Sequence, residues 1–256
     1  MIIIQNHLPQ NCYSFCETRK IKYLVLHHIA AKSVKEAIEM LVHHQVSAHF
    51  LIDFEGNILE LVSPNNIAYH AGVSYWQGED GLNASSIGIE FVNQFPENQP
   101  FSQKQLQAGV KLLKHLIEKY NISCHNILGH SDIAYFADSQ LLNRKQDPSI
   151  LFDWQFLAKN NIGFFPQINS ENDFIKFGFG DCHQEIGKIK HQLYLIGYKV
   201  LEFSYFFNTH LQQLTTVFNR RFNNIASHKN NQDQLWLNSS SLALTKLLDN
   251  YTNHNS

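Results

Sequence analysis

Short apolar segments alternate with amphipathic helices in the first two thirds of the chain, and this order restricts the possible folds. The apolar segments have the length of buried strands, and a turn signal at residues 55–57 joins two of them as a hairpin. Ser33 and Ser102 each begin a helix N-terminal capping box. The predicted strands are 22–28, 48–52, 58–62, 87–92 and 126–130. The pattern predicts an α/β domain with a mixed central sheet flanked by helices.

The sequence changes character near Pro166. Residues 166–173 are typical of a linker, and apolar residues recur at helical spacing in three segments beyond it. These stripes are Ile186, Ile189, Leu193 and Ile196, then Leu211, Leu214, Phe218 and Phe222, then Leu244, Leu247, Leu248 and Tyr251. We therefore predict two domains, residues 1–165 and a small three-helix domain at 174–256.

Charge and hydropathy restrict the functions and locations open to the chain. Its 20 Lys and Arg against 22 Asp and Glu give a formal net charge of -2, which provides no basic surface for a nucleic-acid backbone. No segment approaches the roughly 18 apolar residues of a membrane span, and the residues after Met1 lack the features of a signal peptide. We expect a cytoplasmic protein, with a periplasmic or envelope-associated location as the alternative.

Several residues that bind metals or transfer protons lie at the ends of the predicted strands. His27 ends the first strand, Glu90 lies in an otherwise apolar strand, His130 ends the last one, and Lys145 and Asp147 follow in a loop. A catalytic zinc needs three nitrogen or oxygen ligands, an open position and a nearby carboxylate. Spacing alone is compatible both with a metal site and with ordinary surface residues, because histidines at strand ends are often the latter.

The residues of six segments, in their order, carry a more specific signal. The segments are Val25–Ala30, Val46–Ile52, Ala68–Gly78, Asn83–Asn93, Gly129–Ala134 and Arg144–Pro148. Together they closely resemble the zinc-dependent N-acetylmuramoyl-L-alanine amidases of the AmpD and AmiD type, which are related to the peptidoglycan recognition proteins. The resemblance covers residues 20–156. A weaker likeness at 186–222 is to the small peptidoglycan-binding-type domain that some of these enzymes carry.

The resemblance implies a zinc site and two catalytic residues. It places the zinc ligands at His27, His130 and Asp147, the catalytic glutamate at Glu90 and a positively charged transition-state stabiliser at Lys145. Asp132, two residues after His130, is the competing ligand, to which the resemblance gives a hydrogen-bonding role instead. The competing interpretation of Lys145 is a solvated loop lysine.

Further residues are implied to line the site. His49 and His70 match recurring histidines that line or brace it, and Trp76 and Asn83 join them as candidates for substrate binding; the alternative for both histidines is a buried, hydrogen-bonded role. Two departures from the family concern the loop that carries Lys145 and Asp147 and the binding of the stem peptide. Residues 135–143 form a longer loop than relatives have, and Gly81 stands where relatives often have an arginine.

The implied function is zinc-dependent hydrolysis of the amide bond between the lactyl group of N-acetylmuramic acid and L-alanine. The substrate would be peptidoglycan or anhydromuramyl peptides, between which the sequence does not choose. The alternative is a non-catalytic peptidoglycan-binding protein, although the full ligand set and Glu90 favour an enzyme. A lytic enzyme of viral origin and a zinc peptidase or deacetylase are further alternatives. The sequence contains no His-Glu-x-x-His motif, which counts against the peptidase or deacetylase.

Overall fold

The computed structural model describes residues 2–136, 145–168, 173–223 and 232–255, so residues 137–143 of the predicted long loop and Arg144 lie outside these ranges. The strands are β1 (Ile3–Gln5), β2 (Tyr13–Ser14), β3 (Tyr23–Ile29), β4 (Phe50–Ile52), β5 (Ile58–Glu60), β6 (Ile67–Ala68), β7 (Tyr75–Trp76), β8 (Glu79–Asp80), β9 (Ser86–Val92), β10 (Ile127–Gly129), β11 (Ile175–Phe177) and β12 (Trp236–Leu237). The helices are α1 (Val34–His43), α2 (Gln103–Tyr120), α3 (His130–Ala134), α4 (Trp154–Lys159), α5 (Gln184–Ile196), α6 (Thr209–Phe222) and α7 (Asn238–Asn255).

Contacts along the chain define two compact units, each made of several segments. The first unit consists of Met1–Ser74, Gly81–His130 and Asp147–Phe164. The second unit consists of Tyr75–Asp80, Ser131–Gln146 and Phe165–Ser256. The predicted division into two domains, residues 1–165 and 174–256, stays a prediction.

The first unit is built on a six-stranded mixed sheet, as predicted, in the order β1-β5-β4-β9-β3-β10. Strands β4, β9, β3 and β10 run parallel to one another, whereas β4 and β5 form the antiparallel hairpin expected around residues 55–57. Because parallel strands end at the same edge of a sheet, the carboxyl ends of β3 and β10 lie side by side.

Helices cover both faces of this sheet. Leu51 belongs to the buried cluster that includes Ala37 of α1, whereas Ile52 and Phe91 approach Gly109 of α2 on the other face. Successive strand residues point to opposite faces, which explains how neighbouring residues meet different helices. Burying an apolar side chain of this size contributes about 1.5–3 kcal/mol to folding before entropic costs are counted.

The capping residues predicted from the sequence are in place. The side chain of Ser33 accepts a hydrogen bond from the backbone N–H of Glu36, and Ser102 and Gln105 form a reciprocal capping box. These contacts satisfy backbone N–H groups that have no partner inside their own helix.

The second unit contains the three predicted helices α5, α6 and α7. The apolar stripes of α5 and α6 are buried, as are Leu244 and Leu247 of α7. Gly197 ends α5 with a positive φ of 133°, a conformation that favours glycine. The unit also contains the β11–β12 pair, which the sequence pattern did not predict. Among the described residues, none of the helices has the length and apolar character needed to cross a bilayer.

Candidate functional site

Three side chains converge in the first unit where β3 and β10 end. His27 belongs to β3, and His130 follows the last residue of β10. Asp147 lies in the loop that precedes α4. The Nδ1 atoms of the two histidines are 3.0 Å apart, and Asp147 Oδ2 lies 3.0 Å from Nδ1 of His27 and 2.9 Å from Nδ1 of His130. The structure therefore brings together all three predicted metal ligands, and their metal-binding role stays a prediction.

The donor chemistry of this cluster fits a cation. His130 Nε2 lies 3.2 Å from the carbonyl oxygen of Ala71, which can only accept, so Nε2 carries the proton of the neutral ring. In that tautomer, Nδ1 presents a lone pair to the Asp147 carboxylate, which also only accepts, so a cation between the two would satisfy both. Neighbouring ligands of a tetrahedral zinc lie about 3.3–3.6 Å apart, close to the distances found here. The three residues can thus hold one metal ion.

The charge state of Asp147 agrees with this arrangement. Burial alone would raise the pKa of its carboxyl, but positive charge on the imidazoles of His130 and His27 and hydrogen bonds from them hold that pKa well below its usual range. When both Nδ1 atoms carry lone pairs, a bound cation would supply that positive charge instead. The ligand set is therefore two imidazoles and one carboxylate, which suits zinc and other first-row transition metals.

The two predicted catalytic residues lie on different segments. Glu90 belongs to β9, is the register partner of His27 in β3 and is 8% exposed. It therefore shares a sheet face with His27, one strand away. Lys145 is half-buried and precedes Asp147 by two residues. Both catalytic roles stay predictions.

His70 and His49 are buried on the same side of the sheet as Glu90. His70 Nδ1 lies 3.0 Å from Nε2 of His27, while His49 Nδ1 accepts a hydrogen bond from the backbone N–H of Gly88 at 3.0 Å. Burial, followed by the neighbouring histidines His27 and His49, holds the pKa of His70 well below its usual value. Burial and then Arg19 lower the pKa of His49 to about 3. Both rings are neutral at physiological pH.

Asn83 and Trp76 occupy different surroundings. Asn83 Oδ1 accepts hydrogen bonds from the backbone N–H groups of His70 at 3.1 Å and Ala71 at 2.7 Å. Trp76 belongs to the second unit, is 2% exposed, and has its ring 4.9 Å from that of Tyr198. The predicted roles of Asn83, Trp76 and the two histidines in substrate binding stay predictions.

Asp132 is engaged elsewhere. Its carboxylate accepts a hydrogen bond from the hydroxyl of Tyr198 at 3.1 Å and forms an ion pair with Arg221 at 3.4 Å, all within the second unit. Since Asp132 is 2% exposed, these partners satisfy a buried charge. This is the hydrogen-bonding role that the sequence resemblance implied.

Two residues that support the site were not predicted from the sequence. Arg19 donates hydrogen bonds to backbone carbonyls around the site, namely those of Asn66, Asn83, Ala84 and Ser86. Ser86 contacts His70 through its hydroxyl. A period of two on β9 could have indicated Ser86, because Ser86, Gly88 and Glu90 share one face of that strand.

Comparison with protein families places these residues in a known group. The sequence profile described as N-acetylmuramoyl-L-alanine amidase matches residues 17–150, over half of the chain. The chain is 35% identical over 170 residues to N-acetylmuramoyl-L-alanine amidase AmiD of Escherichia coli (strain K12), covering 61% of this chain and 59% of that protein. It is 37% identical over 114 residues to 1,6-anhydro-N-acetylmuramyl-L-alanine amidase AmpD of the same strain, covering 44% of this chain and 57% of that protein. The matches thus span a little under three fifths of these relatives.

A solved structure extends the similarity beyond the matched sequence. The complex of AmiD from E. coli with the substrate anhydro-N-acetylmuramic acid-L-Ala-D-gamma-Glu-L-Lys superposes with a TM-score of 0.73 at 26% identity. The match covers 91% of this chain and 90% of that chain, a larger share of this chain than the family profile matches. The predicted fold class, a mixed sheet flanked by helices with a small three-helix part, is confirmed.

Proposed function

The chain belongs to the N-acetylmuramoyl-L-alanine amidase family, and from that premise we propose that it hydrolyses the amide bond between the lactyl group of N-acetylmuramic acid and L-alanine. The observation that carries the proposal is the convergence of His27 Nδ1, His130 Nδ1 and Asp147 Oδ2 next to the strand of Glu90. Metal-dependent hydrolysis of an amide needs three protein ligands and a carboxylate nearby.

The proposed metal is zinc, held by His27, His130 and Asp147. When bound, zinc supplies Lewis-acid chemistry that lowers the pKa of water and polarises a carbonyl group. Two neutral imidazoles and one carboxylate neutralise only half the charge of a divalent ion, so these ligands preserve an electrophilic centre. Their number also leaves the fourth position that a catalytic site requires.

Glu90 and Lys145 are proposed to act on the reacting groups. The Glu90 carboxylate takes a proton from the attacking water and passes it to the leaving amine of L-alanine. The Lys145 ammonium stabilises the negative charge that develops on the carbonyl oxygen. Support for Glu90 comes from its register position beside His27, and support for Lys145 from its place two residues before Asp147.

The proposed substrate follows from the relatives. The AmiD structure contains an anhydromuramyl tripeptide, the substrate of that enzyme. We propose that this chain also acts on anhydromuramyl peptides. Residues 174–256 are proposed to contribute to binding muramyl peptides or peptidoglycan, because the predicted catalytic residues all precede Pro148.

A parallel assay on two substrates tests the proposal. The zinc-loaded full chain is incubated with anhydro-N-acetylmuramyl tripeptide and, separately, with intact peptidoglycan, and the products are identified by mass spectrometry. We expect release of a tripeptide that begins with L-alanine. Binding of the muramyl peptide without cleavage would favour the non-catalytic alternative, and cleavage of polymer alone would correct the proposed substrate to intact wall, as expected of a lytic enzyme.

A further inference from the structure

The hydroxyl of Ser86 fixes the direction of a hydrogen-bond chain that ends at the metal cluster. Ser86 Oγ lies 2.6 Å from the backbone carbonyl oxygen of Leu82, and Ser86 is fully buried. A carbonyl oxygen can only accept, and a serine hydroxyl has a single proton to donate. That proton is therefore directed to Leu82, and Ser86 Oγ is left as an acceptor for any other partner.

The other partner of Ser86 is His70. His70 Nε2 lies 3.2 Å from Ser86 Oγ, so Nε2 must be the donor of this hydrogen bond. In the neutral imidazole the second nitrogen, Nδ1, then carries a lone pair. The tautomer of His70 thus follows from the position of a backbone carbonyl two hydrogen bonds away.

The tautomer of His70 determines that of His27 through the outer nitrogen of His27. Nε2 of His27 lies 3.0 Å from Nδ1 of His70, which carries a lone pair, so Nε2 of His27 donates this hydrogen bond. The remaining nitrogen of His27, Nδ1, is then unprotonated and faces Asp147 Oδ2 at 3.0 Å. This is the protonation state that a histidine needs to bind a metal.

Strand β9 provides the space for His70. A Cβ atom added at Gly88 would lie 2.4–2.7 Å from three atoms of the His70 ring, closer than any real contact. The backbone N–H and carbonyl of Gly88 are both hydrogen-bonded to His49 at 3.0 Å, which limits how far Gly88 can move. One face of β9 therefore supplies the acceptor at Ser86, the space at Gly88 and the predicted base at Glu90.

We propose that His70 and Ser86 are positioning residues that set the tautomer and ring orientation of His27 for zinc binding. The inference rests on the proposed function only in taking zinc as the ion. It assigns His70 to the metal side of the site rather than to direct contact with substrate. A hydrogen-bond acceptor on the outer nitrogen of a ligand histidine typically determines its tautomer and its basicity.

Zinc affinity of the full chain, measured by competition with a chromogenic chelator, tests this role. His70→Leu removes the acceptor and should weaken zinc binding by about 10- to 100-fold. His70→Asn places an oxygen where Nδ1 stood, two bonds beyond Cβ, and should recover most of that loss. Ser86→Ala acts one hydrogen bond further away and should cost roughly 3- to 10-fold. The matched control is Ser85→Ala, which removes a buried hydroxyl that contacts Leu82 but not His70.

Thermal unfolding of the zinc-free variants shows whether each one folds, and a direct measurement of the tautomer accompanies the affinities. In the zinc-loaded wild type, two-bond ¹H–¹⁵N correlations should show His70 protonated at Nε2 only. A proton on His70 Nδ1, or equal zinc affinity of folded His70→Leu and wild type, would overturn the proposal. Failure of the wild type to bind zinc would instead count against the proposed function.

Discussion

His27 and His130 both turn Nδ1 toward Asp147, but their outer nitrogens meet different kinds of partner. Nε2 of His130 faces the backbone carbonyl of Ala71 at 3.2 Å, whereas Nε2 of His27 faces the side chain of His70 at 3.0 Å. Both histidines, the predicted metal ligands, are buried, at 2% and 4% exposure. The two histidines thus have the same geometry toward Asp147 and different partners on their outer nitrogens.

The difference matters for how each ligand can be disturbed. A backbone carbonyl stays an acceptor whatever residue carries it, so the support of His130 changes only if the chain moves. The support of His27 depends on side-chain chemistry at His70 and can be removed by one substitution. The two supports are nevertheless adjacent in the chain, and Asn83 Oδ1 binds the backbone N–H groups of both His70 and Ala71.

Metal removal tests the premise that both histidines bind one ion. Dialysis against a strong chelator should lower amidase turnover by on the order of 10,000-fold or more, because Lewis-acid catalysis is worth several kcal/mol. Adding back one equivalent of zinc should restore it, as measured by peptide release and metal content. Full turnover in protein shown to be metal-free would contradict the premise.

Substitution of Glu90, the register partner of His27, separates an effect on turnover from an effect on zinc binding. Glu90→Gln keeps the size of the side chain but removes the base, and turnover should fall by about 100- to 10,000-fold. Zinc affinity should stay within about threefold of the wild type, because Glu90 is not one of the converging ligands. Glu60→Gln, the same change on β5 of the same sheet, is the control and should keep full turnover. Loss of zinc from Glu90→Gln would place Glu90 among the ligands.

Much of the first unit could be predicted from local pattern. The apolar runs predicted β3, β4, β5, β9 and β10, because a strand of a sheet covered by helices on both faces is buried on both sides and its composition reflects that. The N-cap residues Ser33 and Ser102 marked the starts of α1 and α2. The segments that belong to the second unit, such as Tyr75–Asp80, could not be assigned, since their packing partners lie over 100 residues away.

The candidate site was predictable only through the family resemblance. Spacing alone offered both Asp132 and Asp147 as ligands, and the distinction depends on Tyr198 and Arg221, which bind Asp132 from far along the chain. The contact between His70 and His27 was equally invisible, because it needs Gly88 beneath the ring. No local sequence pattern encodes such a contact between three separate segments.

Substitution of Lys145 tests the segment that carries Asp147, the predicted metal ligand that lies beside Nδ1 of both histidines. Lys145→Met removes a positive charge and should lower turnover by about 100- to 1,000-fold, with little change in substrate binding, if the ammonium stabilises the developing oxyanion. Lys111→Met, which changes an exposed lysine on α2, is the control. Turnover of Lys145→Met within roughly threefold of the wild type would show that Lys145 is a solvated loop residue.

Asn83 gives the smallest expected effect and the sharpest test of the comparison, because it holds both supports at once. Asn83→Ala leaves the backbone N–H groups of His70 and Ala71 without their acceptor, which should lower the free energy of unfolding of the zinc-free protein by about 1–3 kcal/mol. Zinc affinity should fall by about 10-fold. Asn83→Asp keeps an oxygen at the same position and should stay within about threefold of the wild type. Imidazole ¹⁵N shifts distinguish the two routes, since Asn83→Ala should move the signals of His27 and His130 together, whereas His70→Leu should move mainly that of His27. If Asn83→Ala moved the signal of only one of these two histidines, the partners of His27 and His130 would be independent, and residues 70–71 would not couple them.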